Sequence, residues 1–584
     1  MANKILELRN LEFKEGNLDH INDEVSSKKK ILYSYKIIYN KIFHKIEDME
    51  EKWKNRKTID NYIRYKVAKR YTKKMQEEQE AIKKCPYTKI GIGWALDDKK
   101  KNKLVDINIE NQNRKNHIFL FGSTGVGKTR AAELMVQQDI MAGRNVVFID
   151  PKSDLDMYNT MFYYSLKANR EKDFMLLSPI QVEDSIEVNP TSHYYLWEEI
   201  VEHVMASVPA DDAFFYNVAK ETTISIVQAI VLGRRASNKL DHKINFDEIA
   251  NYATYEGLKN LRQSVENIRD LNLEDDKKRT LRLLDQILSS PLEYFSKVST
   301  TLRTSLNIMT NGNIGKILGN AENNELVDRL ESGQGVILLV QLGTMLARDT
   351  ANVVGKEVIS MIQSVVGRYY ISGKVFPQPL CLYIDELSNV VYRGIQDLYN
   401  KGRDAGVWIM GMTQSVADMI AVIGEDGAKQ LLDNTNTKII MRVQDQSSAE
   451  LFAKPGGIRT KYSTIMTSEG GITGREIDEE TILPEDVLRL GKRELYYFGF
   501  EGQFFGKTRK ISPTPCEIIM TNILQNNQTH RKKNVNPIGN IDIGRVVSNK
   551  NTPIDEKNKI IYTDKVKEDI YELQITDKKE GINA

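Results

Sequence analysis

Gly122-Ser123-Thr124-Gly125-Val126-Gly127-Lys128-Thr129 fills every position of the pattern G-x-x-x-x-G-K-[ST]. An apolar run, His117-Ile118-Phe119-Leu120-Phe121, leads into it. A helical pattern, Arg130-Ala131-Ala132-Glu133-Leu134-Met135-Val136, leads out. Strand, glycine loop and helix in that order form the context in which this motif holds phosphate. The glycines let backbone N–H groups turn inward, and the helix N-terminus adds its positive dipole end. The expected cradle is Gly122, Ser123, Thr124, Gly125, Val126, Gly127, Lys128, Thr129 and Arg130. Lys128 is expected to reach the β- and γ-phosphates of ATP, and the Thr129 hydroxyl to ligate Mg²⁺.

Leu380-Cys381-Leu382-Tyr383-Ile384 is a short apolar run of the buried-strand type, and it ends in Asp385-Glu386. Asp385 is expected to hold the Mg²⁺ shell. Glu386, one residue on, is placed to accept a proton from an attacking water. A protein that only binds nucleotide has no need of that base. The other reading of the pair is an acidic helix start; the complete phosphate loop upstream favours the catalytic one.

The chain has 584 residues, enough for about three to four domains. Its hydrophobic fraction of 41% is ordinary for a globular protein. A net charge of +2 neither favours nor excludes nucleic-acid binding. Cys85, Cys381 and Cys516 have neither metal-ligand spacing nor a disulfide framework, and the histidines are scattered, so a reducing, cytoplasmic setting fits. The first residues are charged and carry no signal-peptide core. No run of about 18 apolar residues is present, so no transmembrane helix is expected. The segment from Ile31 to Ile46 is interrupted by Lys36, Lys41, His44 and Lys45.

The charge is unevenly spread. Between Ser26 and Val105 stand 23 Lys/Arg against 10 Asp/Glu, interleaved with Tyr33, Tyr35, Tyr39, Tyr62, Tyr65 and Tyr71. Such a stretch suits a basic arm for nucleic acid, anionic lipid or an acidic partner, and equally a solvated helical face.

The expected fold class is α/β: a P-loop domain on a mostly parallel sheet, with an inserted all-α domain and a helical N-terminal region. Strands are expected at Asn145–Ile149, Phe174–Leu177, Gly335–Val340, Val407–Met412, Thr437–Val443 and Glu494–Phe500, with helices between them. Lys128 and Asp385 stand 257 positions apart, far more than the ~30 residues of one βαβ unit. The excess reads as helices: Trp197–Ala206, Asn217–Leu232, Phe246–Tyr255, Lys278–Leu288 and Leu292–Met309. The organisation is therefore 1–85, basic and helical; 86–193, first part of the nucleotide domain; 194–331, all-α insertion; 332–512, second part of the nucleotide domain; 513–584, a polar tail expected to be flexible. The Val407–Met412 strand ends in Thr413-Gln414-Ser415, and a polar residue there is placed to sense the γ-phosphate, since open α/β sheets bind ligands at strand C-termini.

Six blocks occur in a telling order: Phe119–Lys128, Phe148–Asp154, Tyr383–Glu386, Lys401–Val407, Thr413–Ser415 and Asp433–Lys438. From about Lys89 to Ser512 the chain resembles the TraD/TraG type IV coupling proteins of the FtsK/HerA group. The resemblance implies a RecA-like motor domain, a homohexamer, and ATP-driven pumping of DNA, bound without sequence preference. It further implies delivery of a relaxase–DNA complex to the subunits of a type IV secretion channel. Effector-protein secretion, DNA processing and non-hydrolysing cargo reception are the alternatives. By resemblance Arg403 matches an arginine finger that reaches a neighbouring subunit, and Gln414 a sensor glutamine. Coupling proteins commonly begin with a transmembrane hairpin, which this sequence lacks. Contact with the inner face of the bacterial inner membrane is therefore expected to be peripheral.

Overall fold

The computed structural model describes residues 77, 79–96, 104–209, 212–239, 242–466, 472–511 and 514. Most of the expected basic helical region 1–85, and the expected tail apart from residue 514, lie outside the described residues.

Continuous apolar runs with no polar alternation belong to strands covered on both faces. The central strands are of this kind: β3 (Ile118–Phe121), β4 (Asn145–Asp150), β5 (Phe174–Leu177), β6 (Ile337–Gln341) and β7 (Leu380–Ile384) are buried at every position. With β8 (Val407–Thr413) and β9 (Thr437–Ile440) they form a parallel array. An antiparallel wing of β1 (Tyr87–Ala95), β2 (Leu104–Glu110), β12 (Glu494–Gly499) and β13 (Gly502–Thr508) extends it. The eleven-stranded order is β2-β1-β13-β12-β9-β3-β8-β7-β4-β6-β5. A separate two-stranded hairpin, β10 (Ile458–Met466) with β11 (Ile472–Glu480), is not among the expected elements.

One face of the sheet is covered by α1 (Lys128–Ala142) and α2 (Leu155–Lys167). There Met135, Val136, Ile140, Met157 and Phe162 pack on Leu120 and Phe148. The expected insertion is a succession of helices joined by loops, with an isolated bridge from Asn324 to Val188. It begins with α3 (Trp197–Ser207) and α4 (Ala213–Ala236) and runs through α5 (Phe246–Tyr252), α6 (Tyr255–Glu266), α7 (Glu274–Leu288), α8 (Leu292–Val298), α9 (Thr300–Thr310) and α10 (Glu325–Ser332). Its apolar side chains merge with the other face of the sheet through α11 (Arg348–Ile371): Ile200, Val204, Val358, Ile362, Phe119 and Ile149 belong to one buried cluster. The insertion therefore shares its core with the sheet.

The expected helix Phe246–Tyr255 stops at Tyr252; Thr254 accepts a hydrogen bond from Gly257 N at 3.0 Å and starts α6, which is not among the expected helices. The expected Leu292–Met309 helix breaks at Ser299. Among the described residues no helix is long and apolar enough to cross a membrane, Cys85 and Cys381 are free thiols, and no His/Cys/Asp/Glu cluster has metal-site geometry.

Candidate nucleotide site

The site lies at the C-terminal ends of β3, β8, β7 and β4, four neighbours in the sheet. The loop after β3 is fastened on three sides. Gly122 N donates to the Thr413 carbonyl at 3.2 Å, Ser123 N to that of Arg442 at 2.7 Å, and Arg493 N to that of Val126 at 2.9 Å. Gly125 and Gly127 have φ of 79° and 115°, which a side chain would resist, and Gly127 delivers the chain directly into α1. The first-turn N–H groups of α1 have no intrahelical acceptor and suit a phosphate.

Lys128 is buried, and its Nζ donates to the carbonyls of Gly122 at 2.5 Å and Ser123 at 3.2 Å. Burial lowers its pKa, with Lys152 nearby adding to the effect, while Asp385 and Glu386 oppose it. Thr129 Oγ1 donates to Asp385 Oδ2 at 3.1 Å, and Asp385 is fully buried at the end of β7. A hydroxyl and a carboxylate are hard oxygen donors of the kind Mg²⁺ takes beside phosphate oxygens, so this pair fits a Mg²⁺–nucleotide.

Glu386 has φ of 44°, an uncommon value for a non-glycine residue. Three donors hold its carboxylate. Oε1 lies 2.8 Å from Lys152 Nζ and accepts from Gln414 Nε2 at 3.2 Å, and Oε2 accepts from Asn389 Nδ2 at 3.1 Å. Gln414 Oε1 in turn accepts from Thr124 Oγ1 at 3.0 Å. The glutamine thus bridges the phosphate loop and the acid expected to act as base.

Two residues of the expected site sit differently from a phosphate-contacting side chain. The Arg130 guanidinium binds Glu133 at 2.6 Å and Asp156, so its main-chain N–H is what it offers a ligand. Arg403 is not in its own chain's site. It lies near the C-terminus of α12 (Gln396–Ala405), donating to Asn116 Oδ1 at 3.3 Å beside Asp404, where β3 begins. The four-residue strand β3, about 13 Å at ~3.3 Å per residue, lies between Asn116 and Gly122.

The sequence alone assigns no chemical role to the individual residues of Asp150-Pro151-Lys152-Ser153-Asp154. Asp150 ends β4, next to the strand that carries Asp385. Its carboxylate accepts Lys152 N at 2.9 Å and Asp154 N, and burial, with Asp385 and Asp154 nearby, raises its pKa to about 6. Burial opposes the charge on Lys152, but Asp385 and Glu386 outweigh it and hold its pKa above the ordinary value. The signal for both residues is a polar cluster at a strand end. Its link to Glu386 depends on strand order, which is not readable along the chain.

Comparison with known proteins agrees with this geometry. Residues 90–328 match the family described as helicase HerA, central domain, and residues 379–492 the TraM recognition site of TraD and TraG. The type 4 coupling protein DotL of Legionella pneumophila is 23% identical over 462 residues, covering 69% of this chain. The match spans 57% of DotL's length. Among solved structures, the bacterial conjugative coupling protein TrwBdeltaN70 in its unbound form matches 70% of this chain and 87% of its own, at a TM-score of 0.52 and 15% identity. Its sulphate complex gives 68%, 86%, 0.51 and 15%. These two likenesses show a common fold, the RecA-type P-loop architecture. With both family models falling in order across the nucleotide core, the chain is TraD/TraG-like: a HerA-type central region is followed by the region that matches TraD and TraG.

Proposed function

We propose that this chain is an ATP-hydrolysing motor that moves DNA, with an attached relaxase, towards a type IV secretion channel, working as a homohexamer at the inner face of the bacterial inner membrane. The family supports the coupling role. The observation that carries the hydrolytic part is the convergence of Lys128, Thr129, Asp385, Glu386 and Gln414 at the C-terminal ends of neighbouring strands, with Gln414 bridging Thr124 and Glu386.

ATP is the substrate. Its phosphates exchange for the carbonyls that Lys128 now contacts, so that the ammonium neutralises phosphate charge. Thr129 and Asp385 would hold Mg²⁺, which when bound offsets the charge of the phosphate oxygens. Glu386 accepts the proton of the attacking water as its oxygen bonds to the γ-phosphorus. The bond from that phosphorus to the bridging oxygen breaks, and ADP leaves with the electron pair. Gln414 reports the filling of the loop to Glu386 through Thr124. Arg403 serves the nucleotide of a neighbouring copy.

Turnover tests the proposal. Purified protein should hydrolyse ATP in a Mg²⁺-dependent reaction stimulated by DNA. Lys128→Ala should lose nucleotide binding, whereas Glu386→Gln should bind and trap ATP. Wild-type protein that binds ATP and never turns it over, with or without DNA, would reduce the chain to a cargo receptor. Turnover without DNA stimulation at any salt would point to protein cargo.

A further inference from the structure

We infer that Lys152 is a latch on the catalytic base, holding Glu386 Oε1 until the site is ready to hydrolyse. The inference rests on the ATPase reading above.

The lysine is presented by a pinned loop. Asp150 closes the turn by accepting the amides of Lys152 and Asp154, Ser153 supplies a φ of 61°, and the Pro151 carbonyl accepts both Thr344 N and Thr344 Oγ1 at 2.9 Å. From there Nζ reaches Glu386 Oε1 at 2.8 Å and lies 4.0 Å from Asp385 Oδ2. A carboxylate oxygen has two lone-pair sites. On Oε1, Lys152 and Gln414 occupy both. Oε1 is also the oxygen that Gln414 connects to the phosphate loop. A water approaching the γ-phosphate on that side therefore finds Oε1 already saturated, and one donor must withdraw before that oxygen can take a proton. Gln414 is tied at its other end to Thr124, whereas Lys152 is a single flexible ammonium, 42% exposed. The lysine is the donor that can leave.

Lys152→Met keeps the aliphatic stem and removes the charge. A partly exposed ion pair holds its partners by up to about fivefold in equilibrium. DNA-independent kcat should rise by roughly that factor with KM within about twofold of wild type, because only the readiness of the base has changed. Lys152→Arg restores a cation and should return the low basal rate. The double variant Lys152→Met with Glu386→Gln should be inactive, yet bind a fluorescent ATP analogue as tightly as Glu386→Gln alone. A fall in kcat for Lys152→Met, or no change, overturns the latch while a hydrolysing wild type leaves the ATPase reading standing. Wild type and Lys152→Met that both bind nucleotide and hydrolyse none overturn both.

Discussion

Glutamine in place of Glu357 should flatten the pH dependence of stability where the insertion meets the motor core. A polar ladder joins α3 to α11. Glu199 accepts from Ser364 and Arg368, His203 Nδ1 meets Ser360 Oγ at 2.7 Å, and Ser207 donates to Glu357 Oε1. Glu357 is the innermost rung, fully buried, with no hydrogen-bond partner for Oε2 among the described residues. Burial raises its pKa from 4.5 to about 8, against smaller opposing effects of Ser207 and Lys356. A folded-state value above the unfolded one means the native protein holds a proton that the unfolded chain has released. Stability is then full below pH 4.5 and falls as pH rises towards 8, by about 1.4 kcal/mol per pH unit and by at most ~5 kcal/mol over the interval. Glutamine cannot ionise and keeps an oxygen for Ser207, but its NH₂ replaces the unpartnered Oε2 at a cost of ~1–3 kcal/mol. The variant should therefore be less stable than wild type near pH 5 and more stable, by roughly 1–3 kcal/mol, near pH 7.5. His203, whose pKa burial lowers to about 4, titrates in both proteins and cancels in the difference. Urea unfolding followed by tryptophan fluorescence, to which Trp197 at the start of α3 contributes, gives the two curves between pH 5 and 8. Parallel curves would refute the assignment of a protonated Glu357.

Asp139 is buried between Arg114 at 2.5 Å and Arg144 at 2.6 Å, and despite burial these arginines hold its pKa well below the carboxylate range. Asp139→Asn should cost about 3–5 kcal/mol at neutral pH in a urea titration, because it leaves buried arginine charge unpaired. DNA affinity should be sequence-independent and fall steeply from 50 to 200 mM salt in a fluorescence-anisotropy titration; a flat salt response would rule out phosphate contacts. Mixing Arg403→Ala with Glu386→Gln subunits should restore part of the turnover each lacks, since an arginine finger is worth about 10³ or more in rate. If Arg403→Ala alone stays within a few-fold of wild type, the finger assignment fails. Membrane-associated protein should be released by high salt or carbonate in cell fractionation, since polybasic attraction is screened within a Debye length; retention through both would indicate insertion.

The central sheet is legible in the sequence because both its faces are covered. Ile118–Phe121 and Leu380–Ile384 must then be apolar at every position, and such runs stand out between polar loops. The helical register of the insertion is legible for the same reason, but its breaks are not. The expected helix from Phe246 ends at Tyr252, and two residues on the Thr254 hydroxyl caps a new helix, α6. The β10–β11 hairpin is hidden because its strands, Ile458–Met466 and Ile472–Glu480, mix charged and polar residues at successive positions and show no apolar period. In the site, Lys128, Thr129, Asp385 and Glu386 lie in local motifs that can be read along the chain. Lys152 is 234 positions from Glu386 and meets it only because β4 pairs with β7.

The same sheet order constrains assembly. Lys128 and Glu386 lie where the parallel strands end, and Arg403 lies where β3 begins, held near Asn116. The two positions are separated by a strand of buried residues, so no side-chain rotation brings Arg403 to its own chain's phosphates. If Arg403 completes an active site, that site belongs to another copy, and the contact joins the strand-start side of one subunit to the strand-end side of the next. Different surfaces then meet, which makes the interface heterologous, and repeated heterologous contacts close into a ring or run on as a filament. A ring gives every subunit one arginine and one acceptor site, with none left over. A hexamer is one such closure. An isolated chain would carry all the groups for binding ATP and only part of those for hydrolysing it, so turnover per subunit should rise with protein concentration until the ring is complete.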